Sequence, residues 1–459
     1  MPGLLRLIVA FVFVQHFYAV APASAEEPIS ESSGGQTEQI GIEPQIVSDR
    51  PATQNPVSIQ NRIDQIDEFK QSRFEPEPVQ DPFDAWHELK ARINDEIGLR
   101  FGLFYAPMVQ TANPDISNHT AAGGTFNFDL AWNLIGRGTD SPGYLLLRAQ
   151  DRHRYNDLAP TSLFLQAGSL WPTTVGYNEF HLSVLDLSWQ QHFIEDRFVV
   201  QLGRMIPFAA HDYFRYKSPF DGFNDATLTL NPTIAYSPTG LGINTLIRPV
   251  DDIYIAAGLY DANGQPQHPG FDTFFHTREY LSIVDVGWDP GFIDPNNAVY
   301  IGGLKVSDVH ATFWHKDELS ASNTPGGWGV TLFAEGEIGN LVPFIRAGYS
   351  TGSGGGPALL NRMIAGGIGI KGLFGYDSDV LGLGVGWGQR DVGKIDTDFD
   401  GIVDTDVGDI HQVSTEIFYK MQLTRELAIT PHAQFIINPA LDPTRDYTVV
   451  LGFRAKFAL

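Results

Sequence analysis

Cysteine does not occur anywhere in the 459 residues, so an exported chain of this length would be held without disulfides and needs another source of rigidity, such as continuous strand pairing. After the first twenty-odd residues there is no apolar run of helix length either, which excludes helical membrane spans. Basic residues are scarce: 30 Lys and Arg stand against 54 Asp and Glu, for a formal charge of −24 that becomes −25 once Arg6 is cut away with the N-terminal signal. That balance excludes nucleic acid as a partner, because phosphate binding needs a concentration of basic side chains. The acidity is uneven, falling largely in the N-terminal tail and between Arg390 and Asp409, so it says little about the middle of the chain. A β-barrel survives all three absences, since its strands need only ~9–11 residues and only every second side chain must be apolar.

At the N-terminus Arg6 precedes an apolar stretch from Leu7 to Val20, followed by the small-residue pattern Ala23-Ser24-Ala25. The arrangement predicts a secretory signal peptide over residues 1–25. Gln15, His16 and Pro22 interrupt or end the stretch and argue against a membrane anchor. From Glu26 to about residue 80 the chain is rich in Ser, Gln, Glu, Pro and Asn with few large apolar residues, which predicts a disordered periplasmic leader. Within residues 81–95, Trp86, Leu89 and Ile93 lie at helical spacing, so a short periplasmic helix competes with a strand lead-in.

From residue 93 to residue 459 period-two alternation takes over. Leu99, Phe101, Leu103 and Tyr105 oppose Arg100, Gly102 and Phe104; Phe126, Phe128, Leu130 and Trp132 oppose Thr125, Asn127 and Asp129; Val449, Leu451, Phe453 and Phe457 oppose Gly452, Arg454 and Lys456. One face suits lipid and the other water. Such runs begin near Ile93, Gly124, Gly143, Phe180, Arg197, Leu241, Ile253, Tyr280, Ala298, Gly327, Leu341, Arg362, Asp379, Gln412, Glu426 and Tyr447, an even sixteen. The connections alternate between short ones, such as Gly339-Asn340, and long ones, such as Pro207 to Gly240. That sorting predicts an all-β, sixteen-stranded antiparallel transmembrane barrel with short periplasmic turns and long external loops. A secreted soluble β-propeller would show a blade-length repeat, and none is found.

Several segments resemble the carbohydrate-selective porin family (OprB-type). They are Val184-Leu185-Asp186-Leu187-Ser188-Trp189 followed by Gln201-Leu202-Gly203-Arg204, then Ala257-Gly258-Leu259-Tyr260-Asp261-Ala262-Asn263-Gly264, and the closing pair from Ile429 to Pro439 and Leu451 to Phe457. The resemblance spans roughly Ile93 to Leu459. It implies a non-enzymatic pore in the bacterial outer membrane, surrounded by lipid, through which small saccharides diffuse, as a monomer or homotrimer and without a cofactor. A general or anion-preferring porin is the alternative. The chain ends in Leu459 rather than the aromatic residue usual in such barrels.

A passive pore works through the groups that line it, which must bind hydroxyl-rich solutes weakly enough to release them. By phase, Arg100, Asp129, Arg148, Arg152, Arg154, Asp186, Arg346 and Arg454 fall on the polar face. Arg148, Arg152 and Arg154 share a single strand face, and guanidinium forks present several fixed donors; the alternative is that Arg152 and Arg154 lie in an external loop. Arg204 sits on the lipid phase, so a bulge or the end of the membrane band must intervene. The longest loop, 207–240, carries His211, Tyr213, Phe214, Arg215, Tyr216 and Lys217, and so many aromatics predict a loop folded inward as a constriction. Asp396, Asp398, Asp400, Ile402 and Asp404 place oxygen ligands at alternate positions around Gly401, as Ca²⁺ loops do, but Val407 stands where a bidentate Glu would complete a helix-loop-helix site. The segment is thus a candidate for weak calcium binding in an external loop or an unoccupied acidic stretch. Calorimetric titration decides: calcium binding would appear as heat that Asp398→Ala abolishes, and heatless traces from both proteins would remove calcium from this loop.

Overall fold

Alternate side chains of each strand meet two different surroundings, and this sorting is visible throughout the computed structural model, which describes residues 55–68, 70–71, 73–74, 83–113, 115–351, 357–391 and 409–459. The strands are β1 (Leu99–Thr111), β2 (Thr120–Ile135), β3 (Gly143–Arg154), β4 (Phe180–Phe193), β5 (Phe198–Met205), β6 (Gly240–Val250), β7 (Ile253–Asp261) and β8 (Tyr280–Trp288). A two-residue β9 (Tyr300–Ile301) precedes β10 (Leu304–Lys316), β11 (Gly327–Glu337), β12 (Leu341–Ser350), β13 (Arg362–Lys371), β14 (Val380–Asp391), β15 (Asp409–Gln422), β16 (Leu427–Ile437) and β17 (Tyr447–Ala458). Every long strand pairs antiparallel with its neighbours in sequence, β8 pairs directly with β10, and β9 merely extends the start of β10. Sixteen strands thus close into a barrel where β1 meets β17, with Tyr105 opposite Phe457 and Met108 opposite Arg454. At the seam Leu103 and Leu459 each donate a backbone hydrogen bond to the other at 2.8 Å, so the last residue completes the ring.

The predicted phase holds. Leu332, Ile364, Val385, Leu451 and Phe453 project outward and are exposed, whereas Thr125, Asn127, Asp129, Arg148, Arg346 and Arg454 project inward. Short and long connections alternate around most of the barrel as expected; the exception is the β8–β10 connection, residues 289–303, which carries β9 and is longer than the connection 317–326 that follows. The predicted strand starts agree within a few residues except at two places. The first wall strand begins at Leu99 rather than Ile93, because residues 84–97 are helical, and the strand expected from Ala298 joins the wall at Leu304. The pairing of β5 with β4 and β6 runs without a register shift through Gly203 and Arg204, so no bulge re-aims Arg204; it lies at the end of the strand instead. There its guanidinium caps the carbonyls of Val184 (2.7 Å), Gln265 (2.6 Å) and Pro266 (3.0 Å) at the external end of the barrel.

Among the described residues two helices precede the barrel. Helix α1 (Ile59–Asp67) corrects the expectation of a featureless leader up to residue 80. Ser58 caps its first turn through Asn61 N–H, and Ile59, Ile63 and Ile66 form an apolar stripe against Ala131, Tyr144, Leu146 and Phe104 on the inner wall. Apolar burial alone would not hold such a composition; polar pairing with the lumen wall holds the segment as well. Helix α2 (Asp84–Ile97) settles the second ambiguity in favour of a helix and ends at Gly98, which takes the left-handed conformation that glycine adopts without penalty. It packs Trp86 edge-on against Phe101 and Phe83 against Phe457, both at 5.7 Å, beside the periplasmic end of the seam. The signal region 1–25 and the candidate calcium loop 396–404 lie outside the described residues.

The inner face of β14 carries Gly382, Gly384, Gly386 and Gly388 in alternation, a bed that lets the long loop approach the wall backbone. A Cβ at Gly386 would overlap Thr227 Oγ1, and one at Gly384 would lie 2.6 Å from Leu228 Cδ1. Gly386→Ala should therefore destabilise the folded barrel by ~1–3 kcal/mol through overpacking, while Val385→Ala on the lipid side should not dislodge the loop. Limited proteolysis and denaturant unfolding of the two variants would separate these outcomes, and equal behaviour would refute the bed.

Candidate functional site: the lumen and its inner loop

Residues 206–239, between β5 and β6, fold into the barrel instead of standing in the external water, as the aromatic content of 207–240 predicts. Phe214 lies between Phe333 (5.4 Å) and Phe344 (5.5 Å), Phe223 meets Phe418 edge-on at 4.8 Å, and Tyr213 stacks on Tyr254 at 5.5 Å. Leu170 and Trp171 from the β3–β4 loop join the same cluster.

Polar contacts fix the loop's register. His211 bridges Asp285 (2.6 Å) and the Tyr260 hydroxyl (2.7 Å). Asp212 forms a buried ion pair with Arg346, whose guanidinium also stacks over Phe214 at 4.5 Å. Lys217 turns back to donate to the carbonyls of His211 and Asp212 and sits 4.1 Å above the Phe208 ring. Glu416 on β15 accepts backbone N–H bonds from Asn224 and Asp225, and the Asp225 carboxylate in turn accepts from Trp171 Nε1 (3.0 Å), Ser414 Oγ (2.6 Å) and Thr227 N–H (2.8 Å). The carboxylate of Asp221 pairs with Lys456 at 2.7 Å. Burial opposes its ionisation, but the ammonium groups of Lys456 and Lys420 outweigh that and hold its pKa below the usual carboxylate range.

The predicted lumen residues face inward, but many do not border an open passage. Arg148, Arg346 and Arg454 are among the largest fully buried side chains. Arg454 donates to Gly222 O and Asn224 Oδ1, each at 3.1 Å, and to Pro219 O. Arg148 holds Asp129 (2.6 Å) and Val57 O (3.0 Å), and Asp186 is buried with its carboxylate accepting from Ser188. The arginine row on β3 is thus divided. Arg148 is locked under the N-terminal segment, Arg152 bonds Gln150 and Asn178 over the Phe180 ring, and Arg154 is half exposed at the external end, paired with Glu179. Arg100 meets Asp64 of α1. The row as a continuous pore wall is therefore corrected: guanidinium forks satisfy several carbonyls at once, and the folded-in segments supply those carbonyls.

Open space remains on the opposite side. A cavity of about 830 Å³ lies at the periplasmic ends of β13 to β17, bounded by Arg215, Tyr216 and Asp221 of the loop and by Lys371, Lys420 and Lys456 of the wall. Arg215 contacts Glu335 (3.4 Å) and Glu337, and Glu337 also pairs with Lys371 at 3.2 Å, so charges of both signs alternate along this wall. Reading the sequence by phase finds Lys371, Lys420, Glu335, Glu337 and Glu416 on the inner face but misses Asp212, Asp221 and Asp225. Their role depends on where the loop docks, and the alternating glycines of β14 were the signal for that.

Removing the carboxylate of Asp212 would strand a buried guanidinium, a loss of ~3–5 kcal/mol for a broken buried pair. Asp212→Ala should free the loop enough for trypsin to cut after Arg215 or Lys217 while the barrel stays folded. Burial opposes ionisation of Asp212, but the Arg346 guanidinium, with His310 and Lys217, holds its pKa below the usual carboxylate range; such a depressed pKa gives stability that is present above the unfolded value of ~3.9 and lost only as pH falls through the lower folded one, so the wild-type loop should resist trypsin even after incubation at pH 4. Resistance of Asp212→Ala equal to wild type would refute the tether.

The model of the carbohydrate-selective porin family, OprB, matches residues 96–459. Among solved structures, OprB of Pseudomonas putida at high pH superposes with a TM-score of 0.61 at 14% identity, covering 82% of this chain and 97% of that one. A loop L8 deletion mutant of OmpT, an outer-membrane protein of Vibrio cholerae, is more distant, with a TM-score of 0.46 at 11% identity, covering 79% of this chain and 99% of that one. No curated protein sequence matches the chain. The barrel shared with the first of these structures and the match over most of the sequence together establish that this chain belongs to the OprB family of carbohydrate-selective porins.

Proposed function

We propose that the chain is an outer-membrane porin through which small carbohydrates diffuse passively, along the space left between the inward-folded loop 206–239 and the wall. The observation that carries this reading is the cavity of about 830 Å³ under the loop. Its volume falls in the ~300–1,000 Å³ range of small-molecule sites. The lining offers what a neutral polyhydroxylated solute needs: fixed guanidinium and ammonium donors at Arg215, Lys371 and Lys420, carboxylate acceptors at Asp221 and Glu426, and the ring of Tyr216. Acceptors facing donors across a narrow space replace a sugar's hydration shell without a net field that would demand a charged solute. Family membership supports the same solute class, and both the family and the fold are those of a channel rather than an enzyme.

The alternative, a general or anion-preferring pore, gains some support because Lys70 and Lys420 line the cavity without an ion pair of their own among the described residues. Planar-bilayer recording separates the readings. A carbohydrate porin should conduct, and its current should fall as monosaccharides are added. Arg215→Ala should weaken that block several-fold in a barrel that still folds. A conducting pore that no sugar blocks, with a reversal potential favouring anions, would overturn the carbohydrate reading in favour of the anion-preferring one.

A further inference from the structure

From the chain that precedes the family match, we infer that residues 55–68 are an internal plug: helix α1 occupies the periplasmic half of the lumen along β1 to β3 and sets how wide the pathway is. The inference deepens the porin reading and rests on it. A helix of this length is about 13 Å long and ~10 Å across, and sixteen-stranded barrels otherwise leave an aqueous channel. Here that space is shared: α1 fills one side of the periplasmic half, and Pro56, Gln65 and Glu68 form the near wall of the cavity under β13 to β17. Without the helix, the cavity would extend to the inner face of β1 to β3.

The contacts are those of an inserted element rather than of the wall itself. Ile66 seats on Gly102, where a Cβ would come within 2.8 Å of Ile66 Cδ1, so the wall is hollowed at that point. Arg62 donates to Asn127 (3.1 Å) and approaches Asp129 at 3.4 Å, Arg148 donates to Val57 O at 3.0 Å, and Asp64 pairs with Arg100. At its start Asn55 donates to Ala209 O at 2.7 Å, joining the plug to the inner loop. At its end Lys90 of α2 pairs with Asp67 at 2.5 Å, and farther on Arg73 pairs with Asp379 at 2.6 Å, tying the entering chain to the periplasmic rim.

The wall groups that meet the plug are also paired among themselves. Asp129 is held by Arg148 at 2.6 Å, and Asn127 accepts from Gln150 at 2.6 Å. Withdrawing α1 therefore leaves the buried Arg148–Asp129 pair intact and returns Arg62 to water; Arg100 loses Asp64 but is part-exposed at the periplasmic end, where water can take its place. A fixed wall component would instead leave unpaired buried charge behind, which is costly. The barrel thus keeps its buried ion pair under the plug, and the plug decides which solutes reach the lining beneath it.

Two variants test this in bilayers and liposomes, with folding checked by heat-modifiable electrophoretic mobility. Deleting residues 55–68 should raise single-channel conductance several-fold and admit larger saccharides in liposome swelling. In the full chain, Ile66→Cys with Gly102→Cys places the Cβ atoms about 3.7 Å apart, within the ~3.5–4.5 Å of a disulfide; because the native chain has no cysteine, the oxidised variant should form that bond alone and keep wild-type conductance. Unchanged conductance of a folded deletion variant, or a folded double variant that does not cross-link, would overturn the plug while leaving the porin reading in place. A folded wild type and deletion variant that both fail to conduct would overturn both.

Discussion

Everything in this structure depends on the closure of the strand ladder between β1 and β17. In hydrocarbon no water satisfies a backbone N–H or C=O, so a sheet can cross only if it has no edge. The reciprocal bonds of Leu103 and Leu459 mark how completely the chain meets that demand: the ladder runs to the final residue. Closure also fixes register, since a slip of one residue would send Arg148, Arg346 and Arg454 into lipid and Leu332 and Ile364 into the lumen. The same constraint explains how an exported chain of this size does without disulfides, because the continuous ladder supplies the rigidity.

Closure creates a second problem, a wide polar interior. The chain fills it with two segments by two kinds of chemistry. The β5–β6 loop enters with aromatic rings and leans on a bed of glycines, so its docking combines apolar burial with buried ion pairs such as Asp212–Arg346. Helix α1 enters with a short isoleucine stripe and mostly polar contacts. That difference predicts different permanence: the loop leaves the fully buried Arg346 stranded if it departs, whereas the helix leaves the buried Arg148–Asp129 pair of the wall intact and the part-exposed Arg100 without its partner.

The wall was legible in the sequence because period-two alternation is a local signal imposed by two solvents, and strand starts such as Gly143, Phe180, Ile253 and Tyr447 fall where the alternation begins. The inward loop was legible from its aromatics. Less legible was what the inward arginines do. Phase says that Arg148 and Arg454 face the lumen, but only tertiary structure says that the lumen at those points is filled by Val57 and by Pro219 to Asn224. Helix α1 was illegible for a related reason. Its composition is that of a segment unable to form a core, and it needs none, since the barrel presents a ready-made polar surface for Arg62 and Asp64.

Buried arginines also change where selectivity must be sought. Arg454 spends its donors on Pro219 O, Gly222 O and Asn224 Oδ1, and Arg346 is buried against the Asp212 carboxylate, so both are turned to the loop rather than to an open passage. On the proposed reading the groups that meet the solute are those of the cavity: Arg215, Tyr216 and Asp221 on the loop, and Lys371, Lys420 and Glu426 on the wall side. They lie between the loop above and α1 beside them. On the proposed reading the loop and the plug each act on width and chemistry together, because Arg215, Tyr216 and Asp221 of the one and Gln65 and Glu68 of the other line the same cavity.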